Sequence, residues 1–93
     1  MQALYSRLTD FIDSLSTYPP KEHPAIQVGD IFNALLDATK QRYPDDPVVA
    51  TITPAKRLGV SEKSNIDAGS LIAAAQQLRA AAEDDRPAPV LVA

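Results

Sequence analysis

The sequence predicts an all-α fold: a small bundle of three main helices, with a short fourth helix at about 54–58 ahead of the last long one. Three observations carry this expectation. Apolar residues recur at spacings of three and four in three separate stretches, which is the period of one helix face. Proline-containing segments divide the stretches, and proline ends helices by removing a donor and crowding the preceding turn. The single β-branched run, at 48–53, has no second run to pair with.

The first helix is expected from about 3 to 17. Leu4, Leu8, Phe11, Ile12 and Leu15 form one stripe, with Arg7, Thr9, Asp10, Asp13 and Ser14 on the other side. Tyr18-Pro19-Pro20 stops it. A Pro-containing connection follows. The second helix runs from about 25 or 28 to 43, with Val28, Ile31, Phe32, Leu35, Leu36 and Thr39 inward. Asp30, Asn33, Asp37 and Lys40 lie opposite, and Gly29 weakens its first turn. Pro44-Asp45-Asp46-Pro47 ends it.

Residues 47–53 read as a short helical turn or irregular segment, with an extended run over the β-branched 48–53 as the alternative. Thr53-Pro54 is a cap-plus-proline signature, and Gly59 suits a left-handed helix end, so a short helix is expected at 54–58. The last helix, about 66–83, carries Ala68, Leu71, Ile72, Ala75, Leu78 and Ala82 on its inner stripe. Ser64 or Asn65 caps it, or Asp67 if it starts later. Phe11, Phe32, Leu35 and Leu78 are expected to meet where the three helices join, and Asp13 to face water. Residues 1–84 form the domain, and 85–93 a Pro-containing tail expected to be flexible.

Composition limits the chemistry. The chain has 93 residues, a formal net charge of −3, no Cys and one His. Leu, Ile, Val and Phe number 23, enough for one small core rather than a disordered chain. A disulfide scaffold, a Cys-ligated zinc site and a Cys nucleophile are excluded. No catalytic, cofactor-binding or metal-binding set of residues is expected. His23 sits in a Pro-rich segment and reads as a solvated loop residue. The pairs Asp45/Asp46 and Asp84/Asp85 read as caps and solubilising charge. No run reaches the roughly 18 apolar residues of a membrane span, so no membrane contact and a cytoplasmic setting are expected.

Two surfaces invite a partner. The Ala-rich final helix allows close approach of a second chain, so Ala74, Leu78, Ala81 and Ala82 are candidates for contact with a protein partner or a second copy of the chain. The segment Ala55-Lys56-Arg57-Leu58-Gly59-Val60-Ser61 resembles the central turn of a helix-turn-helix DNA-binding motif, with a small residue four positions before the turn glycine. That resemblance, over 54–70, implies nucleic-acid or anion contact by Lys56, Arg57, Lys63 and Asn65. The same residues also read as a capped short helix ending at Gly59. A non-enzymatic accessory protein working through protein–protein contacts is therefore the leading expectation, and a DNA-binding regulator the alternative.

Overall fold

A computed structural model describes residues 3–86. Four α-helices follow in order: α1 (Leu4–Leu15), α2 (Ile26–Arg42), α3 (Pro47–Thr51) and α4 (Ala68–Ala81), then a 3₁₀ turn at Glu83–Asp85. The all-helical class is as expected, and no strand forms among the described residues. The expected flexible tail lies outside the described residues from position 87 onward.

Helix α1 buries all five residues of its stripe. It packs on α4 and α2, while α3 bridges α2 and α4 on the other side. The rings of Phe11 and Phe32 meet with centroids 6.1 Å apart and planes tilted by 38°. Phe11, Phe32, Leu35 and Leu78 are all buried at this junction, and Asp13 is exposed.

Helix α2 departs from its expected face. Gly29, Phe32, Leu35, Leu36 and Thr39 are buried, but Ile31 is 54% exposed. The inward arc is centred on Phe32 and Leu36, which leaves Ile31 at its edge. Asn33 does not face water freely either. Its side chain donates to the Ala55 carbonyl (2.9 Å) and accepts the Ala55 N–H (2.7 Å). Gly29 is a point of close approach: a Cβ there would lie 3.1 Å from the Ala55 Cβ.

The short helix sits at 47–51, not at 54–58. Asp46 accepts from the N–H groups of Val48 and Val49, and Val49 is fully buried. Residues 54–58 are not helical, because both polar groups of the Ala55 backbone are held by Asn33 and the next three residues join a hairpin.

Helix α4 begins at the latest of the expected caps. Asp67 accepts the Ser70 N–H, while the Glu22 and Pro20 carbonyls take the N–H groups of Ala68 and Gly69. The first-turn donors of α4 are thus satisfied from its cap and from the connection before α2. Gly69 allows this contact, since a Cβ there would lie 3.1 Å from the Pro20 carbonyl oxygen.

The acidic end of the fold has a structural task. Helix α1 has no side-chain cap of its own at Ala3. Asp85 supplies one from 80 residues away by accepting the Tyr5 N–H at 3.1 Å, and its other oxygen pairs with Arg42 at 3.0 Å. Tyr43 donates its hydroxyl to Asp84. Asp85, which the sequence assigns to the start of the tail, is therefore anchored to both α1 and α2.

Candidate protein-interaction surface

Between α3 and α4 the chain makes a small β-like arrangement in which three short segments pair side by side without regular strands. Residues 56–58 and 63–65 run antiparallel: Leu58 N–H donates to Lys63 O (2.8 Å) and Asn65 N–H to Lys56 O (2.7 Å). On the other side of 62–64 lies the connection before α2, through Ile26 N–H to Glu62 O (2.9 Å) and Ser64 N–H to Pro24 O (2.7 Å). Gly59 turns the hairpin at φ +58°, a value that only glycine adopts without strain.

Side chains brace this hairpin on both of its faces. Asn65 Oδ1 accepts the Lys56 N–H, and the fully buried Ser64 hydroxyl accepts the Ile66 N–H. His23 is half-buried, and its Nδ1–H donates to the Ser64 carbonyl at 2.9 Å. That corrects the expectation of a solvated loop histidine: the ring ties the α1–α2 connection to the hairpin. With Asn33 holding Ala55, the base of the hairpin is fixed at four points, while its tip stands free.

The tip carries apolar surface. Val60 is entirely exposed and Leu58 is 43% exposed. Around them lie the exposed side chains of Lys56, Arg57 and Lys63. By the two-residue alternation of extended backbone, Lys56 and Leu58 share a face with their cross-strand neighbours Asn65 and Lys63. All four are exposed, while Ser64 points the other way, into the protein against Gly29.

The four residues expected for nucleic-acid or anion contact are thus brought together, but not on a recognition helix. A helix-turn-helix needs two helices flanking Gly59. Residues 54–58 are extended, 61–66 belong to the hairpin and its exit, and α4 starts only at Ala68. The motif's geometry is not formed within 54–70.

The expected α4 surface is also changed. Leu78 and Ala82 are fully buried in the chain's own core. A partner cannot reach them. Ala74 and Ala81 remain half-buried at the margin of that core. Ala81 lines a shallow groove of about 430 Å³ together with Asp46, Val48, Gln77 and Ala80, and Val48 is 48% exposed there. A second groove, of about 310 Å³, runs between α1 and α2 beside Arg7, Ser14 and Ile31.

Electrostatics follow local hydrogen bonding. Side-chain and backbone hydrogen bonds from Ser70 hold the Asp67 carboxyl below its ordinary value. Burial, then the Asp84 carboxylate, pushes the Tyr43 hydroxyl above its ordinary value. Both are structural groups near helix ends. Among the described residues no group of three or more His, Asp or Glu is placed to hold a metal ion. Among them, no helix is long and apolar enough to cross a membrane.

Sequence reasoning missed Leu58 and Val60 as surface features and His23, Asn33 and Ser64 as braces. Two signals bore on this surface: Gly29 in the first turns of a helix, where a missing Cβ lets a neighbour approach closely, and Val60 directly after a turn glycine. No family model, curated protein or solved structure matches the chain.

Proposed function

We propose that this protein is a non-enzymatic, cytoplasmic accessory protein that docks on a protein partner through the tip of its 56–65 hairpin. One observation carries the reading: an entirely exposed Val60 and a part-exposed Leu58, ringed by Lys56, Arg57 and Lys63, on a hairpin whose base is pinned to α2. Two neighbouring aliphatic side chains held out on a braced base suit a binding loop carried by a fixed scaffold. The helical bundle is the scaffold. A cytoplasmic setting fits a chain without cysteine.

The test places a photoreactive phenylalanine analogue at position 60, at position 48 in the α3–α4 groove, or at the exposed position 37 on α2. Irradiation in a lysate of the source cells should give a discrete heavier adduct for position 60 only. That adduct should be lost when Leu58→Ser is added, with the circular-dichroism melt unchanged. Adducts at 48 and not at 60 would move the docking surface to the groove. An adduct equal to the mass of two copies at any position would make the partner a second chain.

A further inference from the structure

The hairpin leaves one backbone edge open. Because Lys56 and Leu58 direct their hydrogen-bonding groups toward 63–65, the intervening Arg57 directs its N–H and C=O outward. Neither has a partner among the described residues, and Arg57 is exposed. The arm 63–65 is closed on its far side by 24–26, so the open edge is on the 56–58 arm alone. Ala55, just before it, is taken by Asn33, and the turn at Gly59 ends the arm, so the edge is one residue pair long.

Charge surrounds this edge unevenly. Residues 56–65 hold three cations and one anion on a chain whose net charge is −3. Lys56 and Lys63 lie on the exposed face with Leu58, and the Arg57 side chain is directed to the opposite face. An extended strand laid along the edge would meet cations on both of its faces and an aliphatic residue on one.

We propose that the outer edge of 56–58 adds a short, extended, acidic peptide segment of a partner protein as a further strand. Its backbone pairs with Arg57. On one face a carboxylate meets the Arg57 guanidinium, and on the other an aliphatic residue rests on Leu58 and Val60 beside a carboxylate that meets Lys56 and Lys63. Backbone pairing would set the direction and register, and alternate side chains the selectivity. The edge is kept short, which is how a sheet edge avoids indiscriminate pairing with other chains. This inference rests on the docking role of the tip, and it adds the partner's chemistry and conformation.

The probe is a capped six-residue Glu/Val peptide, Glu-Glu-Val-Glu-Glu-Thr, which puts carboxylates on both faces of the strand and its one aliphatic residue between two of them, titrated into ¹⁵N-labelled protein. The Arg57 amide should shift saturably and gain exchange protection, with smaller shifts at Leu58 and Val60. Methylating the peptide's backbone nitrogens should weaken binding about five- to tenfold, the equivalent of one or two net hydrogen bonds. In the protein, Arg57→Pro should weaken binding more than Arg57→Ala, since both remove the charge but only proline removes the outward N–H. Proline is tolerated at an edge position whose N–H faces solvent. Should Arg57→Pro fail to fold, the methylated peptide tests the same bond on the unaltered protein.

Equal binding of methylated and unmethylated peptides would overturn strand addition. So would equal binding of a Lys/Val peptide, or no binding of the Glu/Val peptide at all. Those results leave photocrosslinking at position 60 to decide the docking role separately. Tight, steeply salt-dependent binding of duplex DNA through the same cations, without peptide binding, would overturn the inference and favour a nucleic-acid partner.

Discussion

Replacing Asp85 by Ala tests whether the acidic segment after α4 holds the bundle closed. Its Oδ2 accepts the Tyr5 N–H in the first turn of α1, where Ala3 offers no side-chain acceptor. Removing an N-cap acceptor costs about 1 kcal/mol, and the first turn of a helix also favours a negative charge. The Asp85 side chain is only 12% exposed, but the Arg42 side chain it pairs with is 52% exposed. Solvent screening keeps such a pair near 0.5 kcal/mol. The expected loss is therefore about 1.5 kcal/mol, which lowers Tm by roughly 6–12 °C in a domain of this size. Thermal melts followed by circular dichroism at 222 nm read it directly. A double-mutant cycle with Arg42→Ala separates the two parts. In the Arg42→Ala background, Asp85→Ala should still cost about 1 kcal/mol, because the cap does not involve the guanidinium. If Arg42→Ala absorbs the whole effect, Asp85 is an ion-pair partner only and the long-range cap carries no weight. A fall of less than about 2 °C in the single variant refutes both contacts.

Leu35→Ala should cost about 2–5 kcal/mol through lost transfer energy and a residual cavity, and Asp13→Ala well under 1 kcal/mol; equal changes in urea midpoints would show the α1 and α2 faces misassigned. Gly29→Val should release the hairpin from α2, since even a Cβ meets Ala55 at 3.1 Å, so amide exchange should rise at Ser64 and Asn65 before it rises in α4. Asp67, held below its ordinary carboxyl value by Ser70, binds its proton more weakly in the folded state. Its contribution is present above the unfolded value and is lost as pH falls through the lower folded one; an Asp67→Asn variant should show a shallower acid limb in stability against pH. Tyr43 has the opposite sign: its raised value means a contribution present below the unfolded value of about 10 and lost as pH rises through the higher folded one, so Tyr43→Phe should flatten the alkaline limb.

The three long helices were legible because each is a local pattern. Leu4, Leu8, Phe11, Ile12 and Leu15 share one face by arithmetic alone, and all are buried. The α4 stripe held likewise at Ala68, Leu71, Ala75, Leu78 and Ala82, and that same burial removes Leu78 and Ala82 from any partner's reach. Ile31 failed because periodicity gives the width of an apolar arc but not its edge. Gly29 sets the start of α2 against Ala55 and Ser64, and Ile31 is left beside the α1–α2 groove. Asp85 reads as a cap in the sequence, but the helix it caps was hidden for a different reason. The role of Asp85 depends on contacts with Tyr5 and Arg42, 80 and 43 positions away, and no local window contains them.

The two cap-plus-proline signatures show why the candidate surface was hardest to see. Asp46-Pro47 and Thr53-Pro54 promise a helix equally well. After Pro47 the promise holds, because Asp46 takes two N–H groups and Val49 finds the core. After Pro54 a five-residue helix would fix several backbone angles for one or two internal bonds, which is the unfavourable nucleus of any short helix. The extended alternative supplies more. Ala55 takes two bonds from Asn33, Lys56 takes two from Asn65, and Leu58 donates to Lys63. Every one of those partners lies outside the segment, on α2 or on the far arm of the hairpin. The outcome was therefore decided by Asn33, which reads as a surface amide, and by Asn65, which reads as a helix cap or a nucleic-acid contact until the chain is folded. Their bonds leave the backbone of Arg57 facing outward, and the surface assigned to a partner exists because the short helix does not.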